Sequence, residues 1–117
     1  MDFDETPRVK DLRERMWAFM NESVYPAETE YWRDFSAATI PHRISPVMDR
    51  LKAEAQSRGL WNLFMPDDEY GAGLTNVEYA PLAEISGWSA IAPEAINCSA
   101  PDTGNMEVLA RFGTPEQ

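Results

Sequence analysis

The chain has 117 residues, which leaves room for one domain, and its 44% hydrophobic content with four tryptophans excludes an intrinsically disordered class. A formal net charge of −10 argues against a nucleic-acid partner and against an anionic membrane, because both attract clustered lysine and arginine. The single cysteine, Cys98, excludes an intrachain disulfide and a thiolate metal cluster, and it favours a reducing compartment.

The acidic N-terminal sequence, Met-Asp-Phe-Asp-Glu-Thr, has neither the basic nor the apolar region of a secretory signal. It is also too acidic for a mitochondrial transit peptide. No apolar run approaches the roughly 20 residues that are needed to span a bilayer. We therefore expect a cytoplasmic protein with no membrane partner.

The first predicted helix begins with Thr6 and Pro7, a capping residue followed by proline at the first helical position. Apolar residues then recur at helical spacing while charged residues fill the face between them, so the helix is amphipathic. We expect Pro26 to interrupt this helix. The apolar positions are Val9, Leu12, Met16, Phe19 or Met20, and Val24.

Beyond Pro26 the sequence predicts a second helical segment of a turn or two, followed by a loop over residues 39–43. This segment carries Glu28, Tyr31, Trp32 and Phe35. Ser45 and Pro46 then repeat the cap-plus-proline start of a helix. Gly59 suits the position just past the end of that helix. Its apolar stripe consists of Val47, Met48, Leu51 and Ala55.

Residues 60–74 are predicted to form a connection, because Pro66, Gly71 and Gly73 interrupt any regular pattern. The connection nevertheless carries large apolar side chains, so we expect it to pack against the core instead of projecting into water. These side chains are Leu60, Trp61, Leu63, Phe64 and Met65.

Thr75 and Glu78 have the spacing of a capping box, in which each residue satisfies a backbone N–H of the other. A helix is therefore predicted to start at Thr75, to run through Leu82 and Ile85, and to stop at Gly87. Another helix is predicted over residues 90–98.

Pro101 and Gly104 are expected to break the chain before a last short helix over residues 105–112, which Gly113 closes. Thr114, followed by proline and an acid, is typical of the start of yet another helix. We therefore expect these 117 residues to be the front piece of a larger protein. No stretch shows strand alternation, so the predicted fold class is an all-α bundle of five or six helices in one domain, residues 1–117.

The potentially reactive side chains outside the motifs are interpreted as structural, not as catalytic or metal-binding groups. Cys98 has no neighbouring histidine and is expected to be a small buried group, not a nucleophile. His42 is expected to be a surface or capping group. The acids at 67–69 lack the spacing of a calcium loop, so we assign no metal site. Asp102 is left open between capping the last helix and facing a pocket.

The ordered motifs of the second half resemble the N-terminal helical domain of the acyl-CoA dehydrogenase family. They are Gly59-Leu60, Pro66, Tyr70-Gly71-Ala72-Gly73-Leu74, Glu78-Tyr79 and Leu82-Ala83-Glu84. The chain departs from the usual double glycine, with Ala72 in the middle. Residues 97–106, which include Ala-Pro-Asp-Thr-Gly-Asn-Met, resemble the branch that contains the vertebrate family members ten and eleven and many bacterial relatives.

The resemblance implies a flavoenzyme that oxidises acyl-CoA thioesters to trans-2-enoyl-CoA with FAD as hydride acceptor. It implies electron-transfer flavoprotein as a partner and a homodimer or homotetramer as the assembly. In the family, the middle β-domain supplies much of the flavin contact and the C-terminal helical domain supplies a glutamate base. Neither domain is present in these residues, so no catalytic or cofactor-binding residue is assigned, and we do not expect this piece alone to hold FAD.

The resemblance further implies that this domain forms part of the wall of the acyl-chain pocket. The residues expected in that wall are Ile96, Asn97, Ser99, Asp102 and Met106. The alternative is a stand-alone, non-catalytic helical interaction module derived from the same domain. The first hypothesis predicts large apolar surfaces left bare, whereas the second predicts well-hydrated surfaces.

Overall fold

The structure, a computed structural model, describes residues 4–39 and 45–117. Within these residues it contains α-helices and a π-helical turn but no strand, which confirms the predicted all-α class. His42 and most of the predicted loop over residues 39–43 lie outside the described residues. The elements are α1 (Pro7–Phe19), the π turn (Met20–Val24), α2 (Tyr25–Ala37), α3 (Pro46–Ser57), α4 (Asn76–Ser86), α5 (Ala92–Ala95) and α6 (Asp102–Phe112).

The prediction that Pro26 interrupts the first helix is wrong, because α1 continues through the π turn into α2. The backbone N–H of Tyr25 donates to the carbonyl of Met20, five residues back, as in a π-helix. This wider turn places Pro26 in the first turn of α2, where its missing N–H and fixed φ are tolerated. The second helix therefore runs to Ala37, further than predicted.

The apolar stripe of the first helix forms one side of the core, and every predicted position in it is buried. Phe19 and Met20, predicted as alternatives, both face the core. The π turn explains this, because it holds more residues per turn than an α-helix and brings adjacent positions inward. α1 packs against α4, and α3 packs against α2 and α5. The predicted stripe of α3 is buried between them.

The connection over residues 60–74 packs down as predicted, with Leu60, Leu63, Met65 and Leu74 buried. Gly59 begins it with a φ of +67°, a left-handed conformation that favours glycine. Gly71 lies so close to Met65 that a Cβ atom would approach the Met65 carbonyl oxygen to 2.2 Å. Both glycines are therefore needed to route this segment along the core.

The predicted helix starts are confirmed by their side-chain caps. Thr6 Oγ1 accepts from the N–H of Val9 at 3.3 Å, and Ser45 Oγ accepts from that of Val47 at 3.2 Å. In the capping box, the Thr75 N–H donates to Glu78 Oε2 at 2.9 Å, and the Glu78 N–H donates to Thr75 Oγ1 at 3.3 Å. Each cap satisfies a backbone group that the first helical turn leaves unpaired.

Two helix bounds near the C-terminus differ from prediction. The helix predicted over residues 90–98 shortens to α5, because Asn97 has a φ of +62° that an α-helix cannot accommodate. α6 begins at Asp102 and includes Gly104, which was expected to break the chain. A glycine near a helix terminus costs only about 1 kcal/mol, and Asp102 in the first turn interacts favourably with the helix dipole. Gly113 ends α6 as predicted.

Across the described ranges, no helix is both long enough and apolar enough to cross a membrane.

Candidate functional site

A groove lies between the connection over residues 60–74 and the last helix, α6. Its volume is about 550 Å³, which falls within the range of small-molecule sites. Its wall includes Asn62, Met65 and Tyr70 from the connection, together with Met106 and Leu109 from α6. The residues that follow α6 also line it. The groove is therefore formed by two segments that are distant in sequence.

Helix α6 presents apolar side chains that other described residues leave uncovered. None of its residues is buried, and Phe112 exposes 80% of its surface. Val108 and Leu109 are also exposed, with Leu109 lining the groove. Exposed apolar patches of this kind mark surfaces where a ligand or another part of a protein binds.

Two asparagines, Asn62 and Asn97, join the connection to the segment before α6, and we call them the asparagine clasp. The Nδ2 group of Asn97 donates to Oδ1 of Asn62 at 2.6 Å. The backbone N–H of Asn62 donates to the carbonyl of Ile96 at 3.2 Å. Both asparagines are left-handed, with φ values of 58° and 62°. Asparagine tolerates this conformation better than most other non-glycine residues, so it suits both the backbone and the bond.

The clasp reaches the groove wall on both sides. The Nδ2 group of Asn62 donates to the carbonyl of Tyr70 at 3.0 Å. The Nδ2 group of Asn97 also donates to the Met106 sulfur at 3.1 Å. One hydrogen-bonded chain therefore runs from Tyr70 through Asn62 and Asn97 to Met106, and three of these four residues line the groove.

Of the five residues that were predicted to line a pocket, the structure places only Met106 in the groove lining. Met106 lines the groove, and Asn97 contacts both Met106 and Asn62. Ile96 is 1% exposed and belongs to the hydrophobic core. Ser99 accepts the N–H of Asp102 through its backbone carbonyl at 3.0 Å, away from the groove lining.

Sequence reasoning missed every groove residue except Met106, including Asn62, Tyr70 and Leu109. Asn62 carried a usable signal, because it is a polar residue inside an apolar run of a connection. Such a residue commonly satisfies backbone groups or adopts a left-handed turn. Leu109 carried none, because its exposure depends on what the rest of the fold leaves uncovered.

Asp102 does not cap α6, so the capping interpretation is wrong. The residue before the helix is Pro101, and no side-chain hydrogen bond caps this terminus. Asp102 occupies the first helical position, one residue too late for its carboxylate to act as the N-cap. It is exposed there, and its charge favours the positive end of the helix dipole.

Cys98 is half-buried against the core and has a polar partner, which corrects the expectation of a simple buried group. Its sulfur lies 2.8 Å from the hydroxyl of Tyr79. Burial raises the pKa of the Tyr79 hydroxyl above its ordinary value, and the hydrogen bond with Cys98 raises that pKa further.

The acids at 67–69 take part in local structure. Asp67 Oδ1 accepts the backbone N–H of Tyr70 at 2.7 Å, which closes a turn beside the groove. In the part of the chain that the structure describes, no three acid, histidine or cysteine side chains are grouped so as to hold a metal ion.

Comparison with known proteins identifies the relatives of this chain. The family model described as "Acyl-CoA dehydrogenase, N-terminal domain" matches residues 6–117. "Probable acyl-CoA dehydrogenase FadE2" of Mycobacterium tuberculosis is 52% identical over 120 residues, which covers 100% of this chain and 28% of that protein. "Acyl-CoA dehydrogenase family member 10" of Mus musculus is 50% identical over 117 residues, which covers 96% of this chain and 11% of that protein.

A further relative is "Acyl-CoA dehydrogenase family member 11" of Homo sapiens, which is 39% identical over 118 residues. That match covers 98% of this chain and 15% of the relative. The chain therefore spans less than a third of the length of each of these relatives.

Proposed function

Because this chain belongs to the acyl-CoA dehydrogenase family and carries the N-terminal domain of that family over residues 6–117, we propose that the whole protein is an acyl-CoA dehydrogenase. Its reaction would be α,β-dehydrogenation of an acyl-CoA thioester. FAD would accept the hydride, and electron-transfer flavoprotein would be the electron-accepting partner. Support comes from the family match together with the groove beside α6.

In this proposal, the groove forms part of the wall that contacts the acyl chain. Met106 and Leu109 offer it apolar surface, and each methylene that leaves water there contributes about 0.8 kcal/mol. The wall would therefore select substrates by the shape and length of the acyl chain. Among the residues that were expected in the wall, Met106 would touch the chain directly and Asn97 would support it. Ile96 would support the wall from the core, and Ser99 and Asp102 would lie beside the groove without touching the acyl chain.

The lining of the groove does not by itself fit FAD. Its diphosphate calls for basic side chains or converging backbone N–H groups, whereas the charged side chain in the groove lining is that of Glu69. We therefore propose that the flavin site and the catalytic glutamate base come from other parts of the protein. No catalytic, flavin-binding or metal-binding residue is assigned to this chain.

We also propose a homo-oligomeric, cytoplasmic protein. Large apolar side chains are exposed at separate places on the surface, with Trp88 at 68% and Phe35 at 60% exposure. Together with the α6 face, they provide area that further domains or subunits would cover. The single cysteine is compatible with a reducing compartment.

A stand-alone helical interaction module is the second candidate. It is favoured by a continuous buried core and by side-chain caps on α1, α3 and α4, which are features of a unit that folds by itself. The exposed apolar face of α6 argues against it, because this candidate predicts well-hydrated surfaces.

One experiment separates the two candidates. The protein is purified from cells that express its complete gene, and its intact mass, flavin absorbance and acyl-CoA-dependent dye reduction are measured. The dehydrogenase proposal expects a mass above 13.3 kDa, bound flavin and dye reduction that requires acyl-CoA. A 13.3 kDa protein with no flavin and no dye reduction would overturn it and leave the interaction module.

A further inference from the structure

We propose that Asn97 is a positioning residue that sets acyl-chain selectivity by holding Met106 in one conformation. The inference rests on the proposed function, because it takes the groove to be the acyl-chain wall. Its structural basis is the asparagine clasp, which carries hydrogen bonds from one side of the groove to the other.

The side-chain amide of Asn97 has both of its N–H donors engaged. One acceptor is Asn62 Oδ1 at 2.6 Å, and the other is the Met106 sulfur at 3.1 Å. Reversing the amide would place its oxygen against Asn62 Oδ1 and against the sulfur, which are both acceptors. The hydrogen bonds therefore define a single orientation of the amide.

Asn62 is itself fixed, so it can anchor Asn97. Its backbone N–H donates to the Ile96 carbonyl at 3.2 Å, and its Nδ2 group donates to the Tyr70 carbonyl at 3.0 Å. Ile96 lies in the core at 1% exposure. The clasp is thus tied to the core on one side and to the groove wall on the other.

Fixing Met106 matters because methionine is otherwise the most adaptable apolar side chain. It has three rotatable bonds and readily adjusts to whatever shape contacts it. A hydrogen bond to its sulfur restricts those rotations and gives the groove wall one defined contour. A defined contour discriminates between straight and branched acyl chains, whereas a mobile one accepts both.

Asn97→Asp is the sharpest test, because aspartate has nearly the same shape and also tolerates a left-handed backbone. It removes both donors and sets a carboxylate against Asn62 Oδ1 and the Met106 sulfur. Asn105→Asp is the matched control, since Asn105 is exposed in α6 and outside the groove lining. Asn97→Gly keeps the backbone conformation and removes the amide, which provides a second variant if Asn97→Asp fails to fold.

The measurement is kcat/KM of the complete protein for a straight-chain and a methyl-branched acyl-CoA. We expect Asn97→Asp to bring the ratio of the two values about fivefold closer to one. This is the effect of losing one hydrogen bond, here the bond to the Met106 sulfur. Asn105→Asp should leave the ratio unchanged. In a Met106→Leu background, which keeps the side-chain volume, the effect of Asn97→Asp on the ratio should disappear.

Three results would overturn the inference. An equal loss of activity on both substrates would mean that Asn97 only stabilises the fold. A shift that persists in the Met106→Leu background would mean that Asn97 does not act through Met106. Absence of acyl-CoA-dependent activity in the unaltered protein would overturn the proposed function, and the inference with it.

Discussion

The hydroxyl of Tyr79 and the sulfur of Cys98 lie 2.8 Å apart and join α4 to the segment that follows α5. Both side chains pack against the hydrophobic core. In this setting the neutral form of tyrosine is favoured, because burial and the bond to sulfur both raise the pKa of its hydroxyl. The pair therefore contributes to stability in a way that depends on pH.

This pair predicts a loss of stability in alkali. The pKa of Tyr79 is raised in the folded state, so its contribution is complete below the unfolded pKa of about 10 and is lost as pH rises above that value. Urea unfolding should show the midpoint falling progressively as pH rises above about 10. Tyr79→Phe should reduce the slope of this fall. Equal slopes in the two proteins would contradict the assignment.

Two glycines predict opposite responses to alanine. A Cβ at Gly71 would come within 2.2 Å of the Met65 carbonyl oxygen, so Gly71→Ala should destabilise the protein by about 1–3 kcal/mol. A Cβ at Gly104 would meet nothing within 4 Å. Gly104→Ala should therefore stabilise α6 by up to about 1 kcal/mol, since alanine is the better helix former. Urea or thermal unfolding measures both, and effects of the same sign would refute this account.

The capping box at the start of α4 predicts a local stability effect. Thr75→Ala removes the oxygen that accepts the Glu78 N–H at 3.3 Å, and it should lower the free energy of unfolding by about 1 kcal/mol. Thr29→Ala is the matched control, because Thr29 is exposed within α2. The control substitution should not lower the free energy of unfolding, since alanine has a high helix propensity in a helix interior. A Thr75→Ala protein as stable as the control would show that the cap contributes nothing.

Neighbouring residues on α6 predict different effects on substrate use, provided that the groove binds the acyl chain. Leu109 lines the groove, whereas its neighbour Val108 is exposed outside it. Leu109→Ala should raise KM for long-chain acyl-CoA by about fivefold, because the shorter side chain covers less of the acyl chain. Val108→Ala should leave KM unchanged. Steady-state kinetics on the complete protein decides, and equal effects of the two variants would argue against the groove as the acyl-chain wall.

Helix starts could be predicted from the sequence because their signals are local. Thr6, Ser45 and Thr75 each precede a helix in the structure, and each side chain accepts a backbone N–H within the first turn. The prediction for Pro26 failed because proline is compatible either with a break or with the first turn of a new helix. Which of these occurs depended on the π turn before it.

The sequence by itself determined the helical class, the apolar stripes of α1 and α3 and the family to which the chain belongs. These properties depend on periodicity, caps and ordered motifs that are read over short distances along the chain. Only the tertiary structure decided the groove, because Asn62 and Asn97 are 35 residues apart and meet through left-handed turns. The bond that positions Met106 depends on how segments distant in sequence pack against each other. Local residue patterns do not predict such packing.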